Sequence, residues 1–386
     1  MATQVIAGNL LRLRKEKGLT QAALADSAGL SRPGYQALEQ GRSEPQVATL
    51  QGLARALGVP LKDLVTPVQG LQHVRFRSLK RLKRRSDILH RTAKWLRDFN
   101  ELEELLGVKD GRGFDQLAEA TRSAAAQDLG SAAAAARDYV GLTSREPVHD
   151  ICGLLESQGI KVLQVEVASD AFLGLSVARE SGGPAVVVNT WDRLAVEHWI
   201  FSAAHELGHL LLHLDAYDVG LQKEDEDQER AANVFASHFL MPEDAFRREW
   251  SETAGLPLLD RLVKVKRVFR VSWRTVAYRV GEGLTPEARN RLWTRANWEH
   301  RIRYGGPLLK NEEPEGIAEH AFRDPRAPKA ESGEPAELDA HDFQADLLAR
   351  LVRRAIEGEE ITLSRGAEIL GLSIDAMRDR SASWIV

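Results

Sequence analysis

Five residues near the middle of the 386-residue chain, His205-Glu206-Leu207-Gly208-His209, restrict what it can fold into more than any other feature. Trp199, Ile200, Ala203, Leu207, Leu210 and Leu211 surround them at helical spacing, apolar enough to bury the segment. On a helix His205 and His209 stand one turn apart and project from one face. Two imidazoles so placed can both reach one Zn²⁺ at ~2.0–2.1 Å. Glu206 is rotated by ~100° from His205, so it would address a water at the metal rather than the metal itself. Buried there, two histidines and a glutamate are costly unless paired or metal-bound. The plain alternative is a helix whose two histidines are only hydrogen-bonded.

A catalytic zinc site needs a third protein ligand. The metzincin pattern is excluded, because Leu212 stands where it demands Gly and no His follows at the third place. Downstream, Glu229-Arg230-Ala231-Ala232-Asn233 opens an apolar helix that ends at Leu240-Met241-Pro242. A Glu on a second helix, about 20 residues after the first, is the arrangement of gluzincin peptidases. Asn233, one turn after Glu229, falls where it could hydrogen-bond a ligand histidine, and His213 is one turn beyond His209. Glu224, Asp225, Glu226 and Asp227 compete for the ligand role, but they crowd a polar stretch that reads as a solvated loop.

This order resembles the ImmA/IrrE family of metallopeptidases over roughly residues 130–282. The residues that carry it are His205–His209, Glu229 with Ala232-Asn233 and Phe235-Ala236, and Leu240-Met241-Pro242. Gly174-Leu175-Ser176, the strand from Pro184 to Thr190, and Val271-Ser272, Val276-Ala277 and Arg279 follow the same order. The resemblance implies Zn²⁺, or another divalent ion that a His₂Glu set accepts, held by His205, His209 and Glu229. It implies Glu206 as the general base that later protonates the leaving amine, with Asn233 and His213 as supporting residues. An oxyanion donor is expected among His198, His213, Tyr217 and His238. His238 is a departure, since the family's run before Leu240 is apolar.

A second set of motifs lies at the front. Leu13 to Gln21, Ala23-Leu24-Ala25, Gly29-Leu30-Ser31 and Leu38-Glu39-Gln40-Gly41-Arg42 resemble the Xre/Cro-like helix-turn-helix family over about residues 6–65. The resemblance implies that the helix capped by Thr20 crosses the DNA backbone and that the helix starting at Ser31 enters the major groove. Gln21 and Arg42 are then expected at phosphates, and Arg32, Gln36 and Ala37 at base edges beside Ser31. Pro33 and Gly34 are weak helix formers at the start of that helix, though Pro is tolerated in a first turn. The alternative is a helical bundle that serves protein contacts only.

Charge is divided between the two motif regions. The whole chain balances at -4, yet residues 1–97 carry 18 basic and 6 acidic groups, or +12, which leaves about -16 for the rest. Such asymmetry points to a nucleic-acid-binding front end. Only +3 of it falls before residue 67. The remainder lies in 75–97, read as part of one long basic helix over 75–106 that grips phosphate or pairs with another chain.

The expected fold is mainly α with a small β-sheet. An N-terminal five-helix Xre-type helix-turn-helix (1–67) precedes a basic helical connector (68–129) and a gluzincin-like α+β peptidase core (130–254). Strands are expected at 160–167, 172–179 and 184–190, where the apolar period changes. A helical extension with a helix-turn-helix pattern (255–310), a Pro- and Glu-rich linker (311–340) and a helical C-terminal region (341–386) complete the chain. The turn pattern at 362–373 reads as packing or docking. One cysteine, Cys152, excludes a disulfide framework and suits a reducing compartment. No signal peptide and no spanning run are present, so the expectation is a cytoplasmic protein without a membrane partner.

The combined expectation is a DNA-binding transcriptional regulator carrying a zinc endopeptidase. It would act as a homodimer on double-stranded DNA and cleave a specific repressor or antitoxin in a stress or mobile-element response. The alternative is a regulator or antitoxin of a toxin–antitoxin or prophage system. Its peptidase-like domain would then be a sensor or toxin-binding module without turnover. A pure binding module has no need for a general base, so Glu206 separates the two. A purely structural metal would require a closed four-ligand site, and only three ligands are visible.

Overall fold

Apolar residues at helical spacing, punctuated by polar caps, generate most of the secondary structure. The computed structural model describes residues 2–65, 71, 73–78, 85–108, 112–169, 171–213, 225–306 and 338–384. They divide into two compact units: Met1–Leu71 with Lys83–Arg97, and Gln72–Leu82 with Asp98–Val386.

The first unit holds α1 (Ala2–Glu16), α2 (Gln21–Ser27), α3 (Arg32–Glu39), α4 (Val47–Leu57) and α5 (Lys62–Val65). Thr20 Oγ1 accepts from the Ala23 N–H at 3.1 Å and Ser31 Oγ from the Gly34 N–H at 3.2 Å, so each hydroxyl satisfies a donor at a helix start. Pro33 falls in the first turn of α3, where its missing N–H costs nothing. Leu10, Leu24, Tyr35, Leu53 and Leu64 are fully buried in one cluster.

The second unit begins with β1 (Val74–Ser78); α6 (Arg85–Leu105) follows, passing from the first unit to the second at Asp98. The run read as one basic helix over 75–106 is therefore a strand and then a helix. Val74-Arg75-Phe76-Arg77 alternates apolar and basic residues, the period of a strand, and pairing with a neighbour fixes it so. Next come α7 (Arg112–Ala125), α8 (Leu129–Tyr139) and α9 (Ile151–Ser157). α7 and α8 are separate helices, and Asp128 caps the second, its Oδ1 accepting from the Ser131 N–H at 2.8 Å.

β2 (Lys161–Val165), β3 (Phe172–Val177) and β4 (Ala185–Asn189) complete a four-stranded sheet of order β1-β3-β4-β2. β3 runs antiparallel to both β1 and β4, whereas β2 and β4 are parallel. Then follow α10 (Val196–Leu212), α11 (Glu226–Leu240), α12 (Glu243–Glu252), α13 (Leu258–Phe269), α14 (Trp273–Gly281) and α15 (Pro286–Tyr304). Gly208 lets α10 and α11 approach closely: a Cβ there would lie 3.0 Å from Phe235 Cδ1 and 3.4 Å from Ala232 Cα.

One hydrophobic core joins Ala203, Leu207 and Phe235 to Leu259, Leu262, Phe269, Trp273 and Val276. Helices α13 and α14, read as an appended helix-turn-helix, thus pack into the same core as α10 and α11. The C-terminal helices are α16 (Leu347–Glu357), α17 (Leu363–Leu370) and α18 (Ile374–Ala382). Arg365 of α17 donates to Asp98 Oδ1 at 2.9 Å and to Glu101 Oε2 at 2.8 Å, which docks this segment on α6. Most of the expected linker, Tyr217 and Glu224 lie outside the described residues. Among the described residues no helix is long and apolar enough to cross a membrane.

Candidate functional site

Helix α10 is apolar all round, so its 3.6-residue period carries His205, Glu206 and His209 into the interior, where they are 0%, 0% and 1% exposed. α11 packs beside it and brings Glu229. His205 Nε2 and His209 Nε2 lie 2.9 Å apart; Glu229 Oε2 is 3.2 Å from the first and Oε1 3.0 Å from the second. The donor atoms of His205, His209 and Glu229 all fall within 4.8 Å of one another. Two imidazole nitrogens and one carboxylate oxygen are a donor set that suits Zn²⁺.

The outer ring nitrogens have partners as well. His205 Nδ1 lies 3.0 Å from Asn233 Oδ1, one turn after Glu229 on α11. An amide oxygen only accepts, so Nδ1 carries the proton and Nε2 turns its lone pair toward the other donors. His209 Nδ1 is 3.0 Å from His213 Nδ1 at the end of α10. Burial pushes the His213 imidazole down to about 4, helped by His209 and the Arg75 guanidinium, so it is neutral at neutral pH. Burial works to raise Glu229, but the neighbouring His205 and His209 outweigh it and hold the carboxyl well below the usual carboxylate range.

Two residues not assigned to the site from sequence alone border this centre. Gly174 of β3 lies against Glu206: a Cβ there would be 3.3 Å from Glu206 Oε1 and 2.9 Å from the Val187 carbonyl. Arg75 of β1, only 8% exposed, donates from Nη2 to Glu229 Oε1 at 3.1 Å and from Nη1 to Gln228 Oε1. The strand-like alternation around Arg75 was the available signal. It was obscured by the basic residues on either side.

Of the expected oxyanion candidates, His213 stands in this cluster, its Nδ1 against that of His209. His198 lies half-buried in the first turn of α10. His238 belongs to another group, its Nε2 3.1 Å from Glu282 Oε2 and its Nδ1 3.1 Å from Arg279 Nη2. It sits nine residues beyond Glu229, about 13 Å of helix rise. Asp225 caps α11 instead of joining the centre, accepting from the Asp227 and Gln228 N–H groups.

In the first unit, Arg32 and Arg42 are exposed and Gln36 and Ala37 half-buried, with Ser31 exposed at the start of α3. Gln21 is engaged internally: its Nε2 donates to Glu39 Oε2 at 3.0 Å. Arg14 grips the same carboxylate through Nε and Nη2 at 3.2 and 2.6 Å, which ties α1, α2 and α3 together.

Comparison with known proteins gives both regions relatives. An IrrE N-terminal-like domain, a peptidase family, matches residues 155–280, and a helix-turn-helix model matches residues 10–64. An HTH-type transcriptional regulator of Sinorhizobium fredii, y4dJ, is 47% identical over 64 residues, 17% of this chain and 83% of the relative. YqaE, an HTH-type transcriptional regulator of Bacillus subtilis, is 31% identical over 112 residues, 29% of this chain and 82% of the relative. DdrOP3 of Deinococcus deserti, also an HTH-type transcriptional regulator, is 40% identical over 60 residues, 16% of this chain and 46% of the relative. The chain belongs to the helix-turn-helix family of DNA-binding transcriptional regulators and carries behind that module an IrrE-like domain of a metallopeptidase family.

Proposed function

We propose that this regulator is a zinc-dependent endopeptidase that cleaves a specific protein, a repressor or an antitoxin, and so switches gene expression in a stress or mobile-element response. The observation that carries the reading is the convergence of His205, His209 and Glu229 beside a buried Glu206. His205, His209 and Glu229 would hold the zinc ion, which supplies Lewis acidity toward a peptide carbonyl and toward water. Glu206 takes a proton from the attacking water on its carboxylate and passes it to the departing amine nitrogen. Asn233 keeps the proton of His205 on Nδ1, and His213 orients His209 through its own Nδ1. Gly174 leaves room beside Glu206 Oε1.

The helix-turn-helix would bind double-stranded DNA as a homodimer, α3 in the major groove, with Ser31, Arg32, Gln36 and Ala37 toward the bases. Gln21 and Arg42 would lie near phosphates. The whole reading is tested in cells by Glu206→Gln, which removes the base and leaves the ligand set. Under DNA damage or toxin expression, a protein fragment is expected with the wild type and absent with the variant. If repression and derepression are the same with Glu206→Gln, turnover plays no part, and the domain is a sensor or toxin-binding module.

A further inference from the structure

We infer that β1 holds the place of an extended peptide on the edge of β3. A free peptide would bind this site by replacing it, antiparallel to β3 and with an arginine facing Glu229. The inference rests on the peptide-cutting reading above and adds how its substrate is bound. β1 is the outermost strand of the sheet, and without it β3 would be an edge. An open edge offers a row of N–H and C=O groups that any extended chain can pair with, while alternate side chains supply the selection.

The register makes this edge the one that matters. Arg77 pairs with Gly174, the residue whose missing Cβ leaves room beside Glu206. Arg75 pairs with Ser176, and its guanidinium ends on Glu229 and Gln228. A strand in this register therefore runs past the proposed base at one position and reaches the proposed third ligand two residues away. Alternation explains the spacing, because residues two apart in a strand share a face. β1 is also short, five residues, with a break in register between Arg77 and Ser78. The exchange requires this short strand to leave while β3, β4 and β2 stay paired. The side chain that an incoming peptide must match is a guanidinium, since Glu229 and Gln228 receive one through two hydrogen bonds from Arg75.

The test uses the full-length chain with Glu206→Gln, so that binding is read without hydrolysis. Val74→Cys and Val177→Cys are added at paired positions of β1 and β3, where a disulfide can form within the spacing of adjacent strands. The probe is a fluorescein-labelled peptide His-Val-Arg-Phe-Arg-Ser-Leu, the sequence of residues 73–79, followed by anisotropy. The reduced protein is expected to bind it at least about tenfold more tightly than the oxidised one, because the locked strand cannot leave. A peptide with Gln for its first Arg is expected to bind about tenfold more weakly. Arg75→Gln in a protein without the added cysteines is expected to bind the original peptide about tenfold more tightly, having lost the anchor of β1. Equal binding by oxidised and reduced forms of the same protein, or no binding by the reduced and Arg75→Gln proteins, would overturn the inference. If a locked protein with Glu206 restored cut its substrate as fast as the reduced form, the inference would fall and the peptidase reading would stand. Peptide exchange with no hydrolysis by the wild type would give the opposite result.

Discussion

His205 donates from Nδ1 to Asn233 Oδ1 at 3.0 Å, joining two helices across 28 positions of sequence. The contact settles which nitrogen of His205 faces the centre, and alanine at 233 would remove that constraint. Asn233→Ala is expected to weaken zinc binding about 10–100-fold. Competition with a chromophoric chelator on the purified chain reads this directly, without reference to hydrolysis. Unchanged affinity would take Asn233 out of the site.

Gly174 is a packing constraint on the same centre. Gly174→Val places a branched side chain where even a Cβ would be 2.9 Å from the Val187 carbonyl and 3.3 Å from Glu206 Oε1. The expected cost is about 1–3 kcal/mol of stability, measured by denaturant unfolding. Gly174→Ala should cost less, and equal stability of all three proteins would mean that β3 and α10 can part without penalty.

Stability should also depend on pH through Glu156. Burial pushes its carboxyl up from 4.5 to about 7, while the Leu347 N–H, among others, donates to it at the start of α16. The sign follows from proton uptake: between these two values the unfolded chain has lost the proton that the folded chain keeps, so the folded state binds more protons. Stability is therefore expected to fall as pH rises from about 4.5 to about 7, by this group's contribution. Glu156→Gln, neutral throughout, should flatten that slope in a series of thermal melts. A slope identical to the wild type would assign the effect elsewhere.

In the proposed DNA complex, Arg32 and Arg42 would make two kinds of contact. Arg32→Ala is expected to cost about 1–3 kcal/mol at a cognate operator and to relax preference at one base position. Arg42→Ala should weaken binding to all sequences alike and lower the salt slope by about 1. Titrations against specific and scrambled duplexes at several salt concentrations distinguish these outcomes. Identical behaviour of the two variants would remove the distinction between base and phosphate roles.

Much of the architecture was legible because its causes are local. The hydroxyls of Thr20 and Ser31 start α2 and α3 by accepting N–H groups three residues away. The position of His205 and His209 on one face of α10 requires only the helical period. Glu229 was reached through the order of motifs that resembles the ImmA/IrrE family, and Asn233 by standing one turn after it. β1 was not legible as a strand. Its alternation spans a few residues inside a basic run that a helix could equally well continue, and what selects the strand is its partner β3, about 100 positions away. His238, polar in an apolar run, could not be assigned from its neighbours. Its partners Arg279 and Glu282 come from α14 and the residue after it.

By itself, the order of residues determined helical modules, the faces their side chains share, and the place of His205 and His209 on one such face. Those properties depend on contacts within a turn or two of helix, where spacing along the chain is distance in space. Only the tertiary structure decided that Arg75 of the basic run lies on Glu229, 154 positions away, and that Gly174 borders Glu206. Both depend on which strand takes the edge of the sheet and in what register. That choice comes from burial and hydrogen bonding summed over the whole sheet, and no local period encodes it.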